Sequence, residues 1–80
     1  MELNRAVAVT MAEGPARGLE LVDALTGLDR YHLWHSTRAE LLRRLGRDEE
    51  AAVAYSRALE LAPSETERTF LRARLTASAS

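Results

Sequence analysis

Leu41-Leu42-Arg43-Arg44-Leu45-Gly46-Arg47 is the stretch that decides the fold, because it ends one amphipathic helix and leads directly into the next. Gly46 tolerates the left-handed backbone conformation that commonly ends a helix. Asp48 is predicted to cap the following helix, and Glu49 and Glu50 then lie in its first turn, where the helix dipole favours negative charge. The stretch therefore predicts two antiparallel helices joined by a tight turn.

The helix after this turn carries small residues on both sides of an aromatic ring. Ala51 and Ala58 flank Tyr55 at helical spacing, so a neighbouring helix can approach closely while the ring fills the space between them. Pro63 has no backbone N–H and ends this helix. The pattern indicates a helix that packs against a partner helix along one face.

The same spacing occurs twice along the chain. Gly18-Val22-Leu25 lies 33 positions before Ala51-Tyr55-Ala58, member for member. This offset resembles the roughly 34-residue period of tetratricopeptide repeats, in which each repeat is a pair of antiparallel helices. Gly14-Pro15 supplies the turn of the earlier pair, because proline is well placed in the first turn of a helix. We therefore predict an all-α fold, a tetratricopeptide-like stack of two helical hairpins plus a C-terminal capping helix.

One helical-repeat domain is expected to account for the whole chain. We place hairpin one at about residues 3–27, hairpin two at about 30–62 and the capping helix at about 64–77. Ser64 and Glu67 match a capping box at the start of that last helix. Because a stable array usually needs about three repeats, we expect the chain to be a fragment of a longer protein. The predicted structural core consists of Val22, Leu25, Trp34, Leu42, Tyr55, Ala58, Phe70 and Leu71.

Composition excludes several classes of protein. The formal net charge of −1 arises from 11 basic and 12 acidic residues spread along 80 positions, so no overall field attracts nucleic acid. Cysteine is absent, which rules out disulfides and thiolate metal sites and suits a cytoplasmic protein. No apolar run approaches the roughly 20 residues that cross a bilayer. We therefore expect no direct nucleic-acid binding and no membrane contact.

Catalytic and metal-binding patterns are missing from the sequence. It contains no nucleophile elbow, no HExxH pair and no glycine-rich phosphate loop, so we expect neither an enzyme nor a bound cofactor. His32 and His35 could meet on one helical face, but further metal ligands are lacking. A structural histidine pair is the favoured interpretation, and Trp34 beside them is assigned to packing.

Polar residues within apolar stretches allow two interpretations. A partly buried arginine needs a carboxylate or carbonyl, so Arg38 is expected to pair within the bundle, with Glu67 as its partner. The alternative is an inner groove that binds an extended peptide. The residues expected to line that groove are Asn4, Arg5, Glu40 and Arg43.

The first helix is apolar on nearly all sides, which is typical of a buried helix. In a two-repeat fragment that helix lacks a neighbour on one side. We therefore predict that the chain forms a homodimer through helix one, with Val7 and Met11 as contacts.

Several phrases of the sequence together resemble one bacterial family, and they cover nearly the whole chain. They are Leu3-Asn4-Arg5-Ala6-Val7-Ala8-Val9, Gly14-Pro15-Ala16, Tyr31-His32-Leu33, Arg38-Ala39-Glu40-Leu41-Leu42-Arg43-Arg44-Leu45-Gly46-Arg47 and Glu67-Arg68-Thr69-Phe70-Leu71. The chain resembles the C-terminal, tetratricopeptide-like extension of extracytoplasmic-function RNA polymerase sigma factors. The resemblance implies a non-catalytic regulatory domain that modulates transcription initiation. It also implies a protein partner, which would be the rest of the sigma factor, RNA polymerase or a regulator.

Two alternatives to the sigma-factor interpretation stay open. The first is a free-standing tetratricopeptide adaptor that binds an extended peptide or a partner protein. The second is a salt-sensitive contact with promoter DNA through Arg43, Arg44 and Arg47. The gene upstream of Met1 distinguishes the first alternative, because a promoter-reading helix-turn-helix region there is expected only of a sigma factor.

Overall fold

Five α-helices form the part of the chain that the computed structural model describes, residues 2–79, with side chains described for residues 3–77. The helices are α1 (Glu2–Glu13), α2 (Pro15–Ala24), α3 (His32–Arg44), α4 (Asp48–Leu61) and α5 (Glu65–Ala79). No strand occurs between residues 2 and 79. The prediction of an all-α fold is therefore confirmed.

The helices pack in two layers. Each helix contacts the next one along the chain, so α2 lies against both α1 and α3, and α4 lies against both α3 and α5. Helices α1, α3 and α5 form the front layer, and α2 and α4 form the back layer. The dimensions of 29 × 26 × 17 Å fit two layers, because packed helix axes lie roughly 8–10 Å apart.

Two glycines make the tight turns within the hairpins. Gly14 has a φ of 94° and Gly46 a φ of 77°, a region that side chains with a Cβ rarely adopt. After α3, the Arg47 N–H donates to the Leu42 carbonyl at 2.9 Å and the Gly46 N–H donates to the Arg43 carbonyl at 3.0 Å. This pair of bonds is a Schellman motif, and it satisfies carbonyls that the helix end would otherwise leave open.

The start of α4 differs from the prediction. Arg47 occupies the cap position and no side chain caps the helix, while Asp48 lies in the first turn with Glu49 and Glu50. The tight Schellman turn places the cap one residue earlier than the Asp48 pattern indicated. The three carboxylates still lie where the helix dipole favours them.

The core lies between the two layers. Its largest fully buried side chains are Tyr55, Leu42, Leu71 and Val22. Ala51 and Ala58 on either side of the Tyr55 ring are also fully buried. Leu25 and Trp34 are partly buried and pack against this cluster.

Phe70, which was predicted to lie in the core, is instead 49% exposed. Consecutive residues of a helix point about 100° apart, so Leu71 and Phe70 cannot both face α4. Leu71 takes the core position and is fully buried. Phe70 therefore lies on the front surface of α5.

A close approach joins α1 and α2. Gly18 is buried, and a Cβ at this position would overlap the hydroxyl of Thr10 on the facing helix. The Thr10 hydroxyl itself donates to the Ala6 carbonyl at 2.8 Å. Position 18, the first residue of the Gly18-Val22-Leu25 pattern, is therefore glycine because the two helices leave no room for a side chain.

Two side chains of α3 connect the hairpins through α2. The indole N–H of Trp34 donates to the Val22 carbonyl at 2.9 Å. The Arg38 Nε donates to Asp23 Oδ1 at 2.7 Å. The predicted pairing of Arg38 with Glu67 is therefore wrong, because Arg38 faces the back layer whereas Glu67 lies on α5.

Candidate protein-binding groove

The front layer carries two open cavities, one on each side of α3. The cavity between α1 and α3, which we name the N-terminal pocket, has a volume of about 340 Å³. It is lined by Val7 and Met11 of α1 and by Thr37, Glu40, Leu41 and Arg44 of α3. Its apolar walls come from opposite helices, and Met11 is 85% exposed. This pocket can bury an apolar side chain of a partner.

The cavity between α3 and α5, which we name the C-terminal pocket, has a volume of about 400 Å³. Leu33, Ser36, Thr66, Glu67 and Phe70 line it. Leu33 and Phe70 expose 37% and 49% of their surface. We call the front surface that carries these two pockets, with the α3 surface between them, the groove.

A charged cluster separates the two pockets. The Arg43 Nη2 donates to Glu40 Oε2 at 2.8 Å, and the Arg74 Nε lies 2.9 Å from Glu40 Oε1. The Arg74 guanidinium also lies 5.2 Å from the centroid of the Phe70 ring, within the range of a cation–π contact. Glu40 therefore ties α3 to α5 and fixes the floor of the groove.

The ionisation of this cluster follows from burial and pairing. Burial raises the pKa of Glu40, but the hydrogen bond from Arg43 and the charges of Arg43 and Arg74 outweigh it and hold the pKa below its ordinary value. Burial, with Glu40 as the next cause, raises the pKa of Tyr55 to about 12. At neutral pH the carboxylate is ionised and the phenol is neutral. The cluster therefore has a structural character and no group poised for acid–base catalysis.

The Tyr55 hydroxyl lies below this cluster. It is buried and makes no well-directed hydrogen bond to the described residues, although Glu40 and Arg43 both act on its pKa. Its ring, in contrast, is fully enclosed by the core. The hydroxyl therefore contributes less to stability than the ring does.

One charged side chain at each pocket lacks an ion pair. Within residues 3–77, neither Arg44 nor Glu67 has an oppositely charged group within 4.0 Å. Arg43 and Arg47, in contrast, pair with Glu40 at 2.8 Å and Glu50 at 2.7 Å. The two ends of the groove thus carry opposite charges that are available to a partner.

The predicted groove residues do not all meet in one place. Glu40 lines the N-terminal pocket and Arg43 pairs with it, but Arg5 lines a separate cavity with Leu21 and Leu25 of α2. Asn4 is exposed on α1. Arg5 lies on the side of α1 that faces α2, away from the N-terminal pocket.

Val7 and Met11, which were predicted to form a dimer contact, both line the N-terminal pocket. The sequence reasoning missed Leu33, Arg44 and Phe70 as exposed residues of the two pockets, and it missed the buried Leu41 as a residue that lines the N-terminal pocket. A usable signal existed, because Leu33, Thr37, Leu41 and Arg44 recur at helical spacing along one face of α3.

A hydrogen bond and an aromatic contact hold the His35 ring in place. The His35 Nε2 lies 2.7 Å from the Asp29 carbonyl oxygen, so this nitrogen carries the proton that it donates. The Trp34 and His35 rings meet edge to face at 4.8 Å. No group of three or more metal-binding side chains occurs among the residues that the structure describes. In that same part of the chain, no helix combines the length and the apolar character needed to span a membrane.

Comparisons with known proteins agree with the repeat architecture. The chain is 43% identical over 74 residues to an uncharacterized protein of Rhizobium meliloti (strain 1021), in an alignment that covers 91% of this chain and 18% of the relative. The chain thus spans less than a fifth of that relative's length. No solved structure significantly matches the chain. The sequence model described as Tetratricopeptide repeat matches residues 32–75, which include α3, α4 and most of α5. Since this match covers more than half of the chain, the protein belongs to the tetratricopeptide repeat family.

Proposed function

We propose that this chain is a non-catalytic protein-interaction domain that binds its partner in the groove of the front layer. The observation that carries this proposal is the N-terminal pocket, where Val7 and Met11 face Leu41 across an open cavity. Exposed apolar surface rimmed by charged groups is typical of protein contact sites. Membership of the tetratricopeptide repeat family also supports a protein partner, because stacked helical repeats form extended binding surfaces.

A pair of matched substitutions tests the groove. Met11 on α1 is 85% exposed and Val53 on α4 is 71% exposed, so glutamate at either position leaves the core intact. We expect Met11→Glu to abolish binding of the partner, because it puts a charge into the apolar pocket. Val53→Glu, which changes the back layer, is expected to bind normally. Equal binding by both variants in a quantitative pull-down would contradict the proposal.

We further propose that the chain is a segment of an extracytoplasmic-function RNA polymerase sigma factor and modulates transcription initiation in the cytoplasm. The support is the resemblance of its sequence phrases to the C-terminal extension of those factors. A relative much longer than this chain is consistent with a segment of a larger protein. The partner would then be the rest of the sigma factor, RNA polymerase or a regulator.

The gene and a transcription assay test the sigma-factor proposal. A helix-turn-helix region encoded upstream of Met1 would support it, and an independent start there would favour the free-standing adaptor. In reconstituted transcription, the parent protein with Met11→Glu is expected to respond differently from the parent with Val53→Glu. Identical transcription by the two parents would contradict a regulatory role of the groove.

A homodimer through helix one is the competing occupant of the same pocket. Because Val7 and Met11 line the groove, a dimer through them would cover the surface proposed for the partner. Sedimentation velocity over a range of concentrations distinguishes the two. Concentration-dependent dimers that Met11→Glu dissociates would favour self-association.

A further inference from the structure

We propose that the groove selects an extended partner segment with two apolar anchors, an acidic side chain beside the anchor of the N-terminal pocket and a basic side chain beside the anchor of the C-terminal pocket. The segment would therefore bind in one direction only. This inference rests on the proposed function and specifies the chemistry of the partner.

The two pockets are separated both along α3 and across it. Leu41 lines one pocket and Leu33 the other, eight positions apart on the same helix. At about 1.5 Å per residue, this corresponds to about 12 Å along α3, and the chain must also cross from one side of the helix to the other. An extended chain covers 12 Å in about four residues, so the two anchors are about four to six positions apart. Side chains an even number of positions apart lie on the same side of an extended chain, so an even spacing lets both anchors enter the groove together.

The backbone of an extended partner needs hydrogen-bond partners. An extended segment presents unpaired N–H and C=O groups, whereas a helix satisfies its own. Hydroxyls of Ser36, Thr37 and Thr66 line the two pockets. The Ser36 hydroxyl donates to the Leu33 carbonyl at 3.3 Å and can still accept a hydrogen bond. The groove therefore offers apolar anchor sites and backbone partners side by side, which favours an extended occupant over a helical one.

The unpaired charges at the two pockets have opposite signs. Glu40 is already compensated by Arg43 and Arg74, so the middle of the groove offers no free carboxylate. Arg44 and Glu67 make no ion pair with the described side chains and lie at opposite pockets. Arg44 attracts a carboxylate of the partner, and Glu67 attracts an ammonium or guanidinium group of the partner. Such exposed contacts add modest affinity but select the orientation of the partner.

Peptide selection on the intact 80-residue chain provides the probe. A displayed library of random dodecapeptides is expected to yield sequences with an acidic residue next to a large apolar one, and a second apolar residue with a basic neighbour about four to six positions away. The affinity of one selected peptide and of its charge-swapped version is then measured by fluorescence anisotropy at low and high salt.

Charge reversal in the protein tests the orientation. We expect Arg44→Glu to weaken the affinity for the selected peptide about three- to tenfold. The charge-swapped peptide is expected to bind this variant better than it binds the wild-type chain. Glu67→Lys is expected to act in the same way at the other end. Both effects should shrink at high salt, because these side chains are exposed to solvent. Arg57→Glu is the matched control, since it reverses an exposed arginine on α4.

Each remaining outcome overturns the inference. Suppose that Met11→Glu abolishes peptide binding, but that the peptide affinities of Arg44→Glu and Glu67→Lys stay within twofold of the wild-type affinity. The groove function then stands and the proposed polarity is wrong. If selection yields no binding peptide, or if Met11→Glu and both reversals leave binding unchanged, the groove function and the polarity both fail. If the chain instead forms dimers that Met11→Glu dissociates, a second copy is the occupant and the extended partner is wrong.

Discussion

Truncation of Tyr55 is the sharpest test of how the two hairpins are held together. Tyr55 is fully buried with Ala51 and Ala58 on either side, so Tyr55→Ala leaves a cavity that small neighbours cannot fill. Aromatic-to-alanine changes in cores cost about 3–5 kcal/mol. A chain of this length has a free energy of unfolding of roughly 4–12 kcal/mol. The variant is therefore expected to lose a large part of its stability.

The hydroxyl and the ring can be separated in the same experiment. Because the Tyr55 hydroxyl makes no well-directed hydrogen bond among the described residues, Tyr55→Phe is expected to change stability by about 1 kcal/mol or less. Val53→Ala serves as a surface control, since Val53 is 71% exposed and such changes usually stay within about 0.5 kcal/mol. Urea unfolding followed by circular dichroism measures all three variants.

A small effect of the alanine variant would contradict this role of the Tyr55 ring. If Tyr55→Ala lost less than about 1 kcal/mol, the ring would not fill the space between the helices. A phenylalanine variant as unstable as the alanine variant would also contradict it, because the hydroxyl and not the ring would then hold the core. Thermal melting gives an independent check, with a decrease of at least about 12 °C expected for Tyr55→Ala.

Three further predictions concern single positions. Gly18→Ala is expected to cost about 1–3 kcal/mol because its Cβ would overlap the Thr10 hydroxyl, and unchanged urea stability would contradict this close approach. Trp34→Phe is expected to cost about 1 kcal/mol through loss of the hydrogen bond to the Val22 carbonyl, and a cost of zero would show that this bond does not stabilise the contact between hairpins. Burial raises the pKa of Tyr55 from 10.0 to about 12, so the free energy of unfolding is unaffected by this phenol below pH 10 and falls as pH rises from 10 towards 12, where the unfolded chain ionises more readily. Urea titrations at pH 9 to 12 should show this loss in the wild-type chain and a smaller one in Tyr55→Phe.

Local turn chemistry and the repeated spacing made the architecture predictable from the sequence. Gly14 and Gly46 adopt the positive φ angles that only glycine readily tolerates, so the turns could be placed before any packing was known. Gly18 and Ala51 mark close helix contacts for a similar reason, since both are buried with little or no side chain. The glycine turns depend only on residues that are neighbours along the chain, and the close helix contacts depend only on small side-chain size.

The groove was less predictable because it depends on which helix faces which. Phe70 and Leu71 are adjacent and both apolar, and only the position of α4 decides that Leu71 takes the core. Arg38 could reach several carboxylates in principle, and the packing of α3 on α2 selects Asp23. Arg5 lies on the α2 side of α1 for a comparable reason. Rotation of a helix about its axis is set by tertiary packing, which a single sequence expresses only weakly.

We propose that the partner binds the front layer between α1 and α5. An NMR titration of the isotopically labelled chain with a selected peptide or with the partner protein tests this proposal. We expect the largest chemical-shift changes at Val7, Met11, Leu41 and Phe70, while Val53 on the back layer stays unchanged. Changes concentrated around Val53 and the exposed face of α4, with the front layer unaffected, would contradict it.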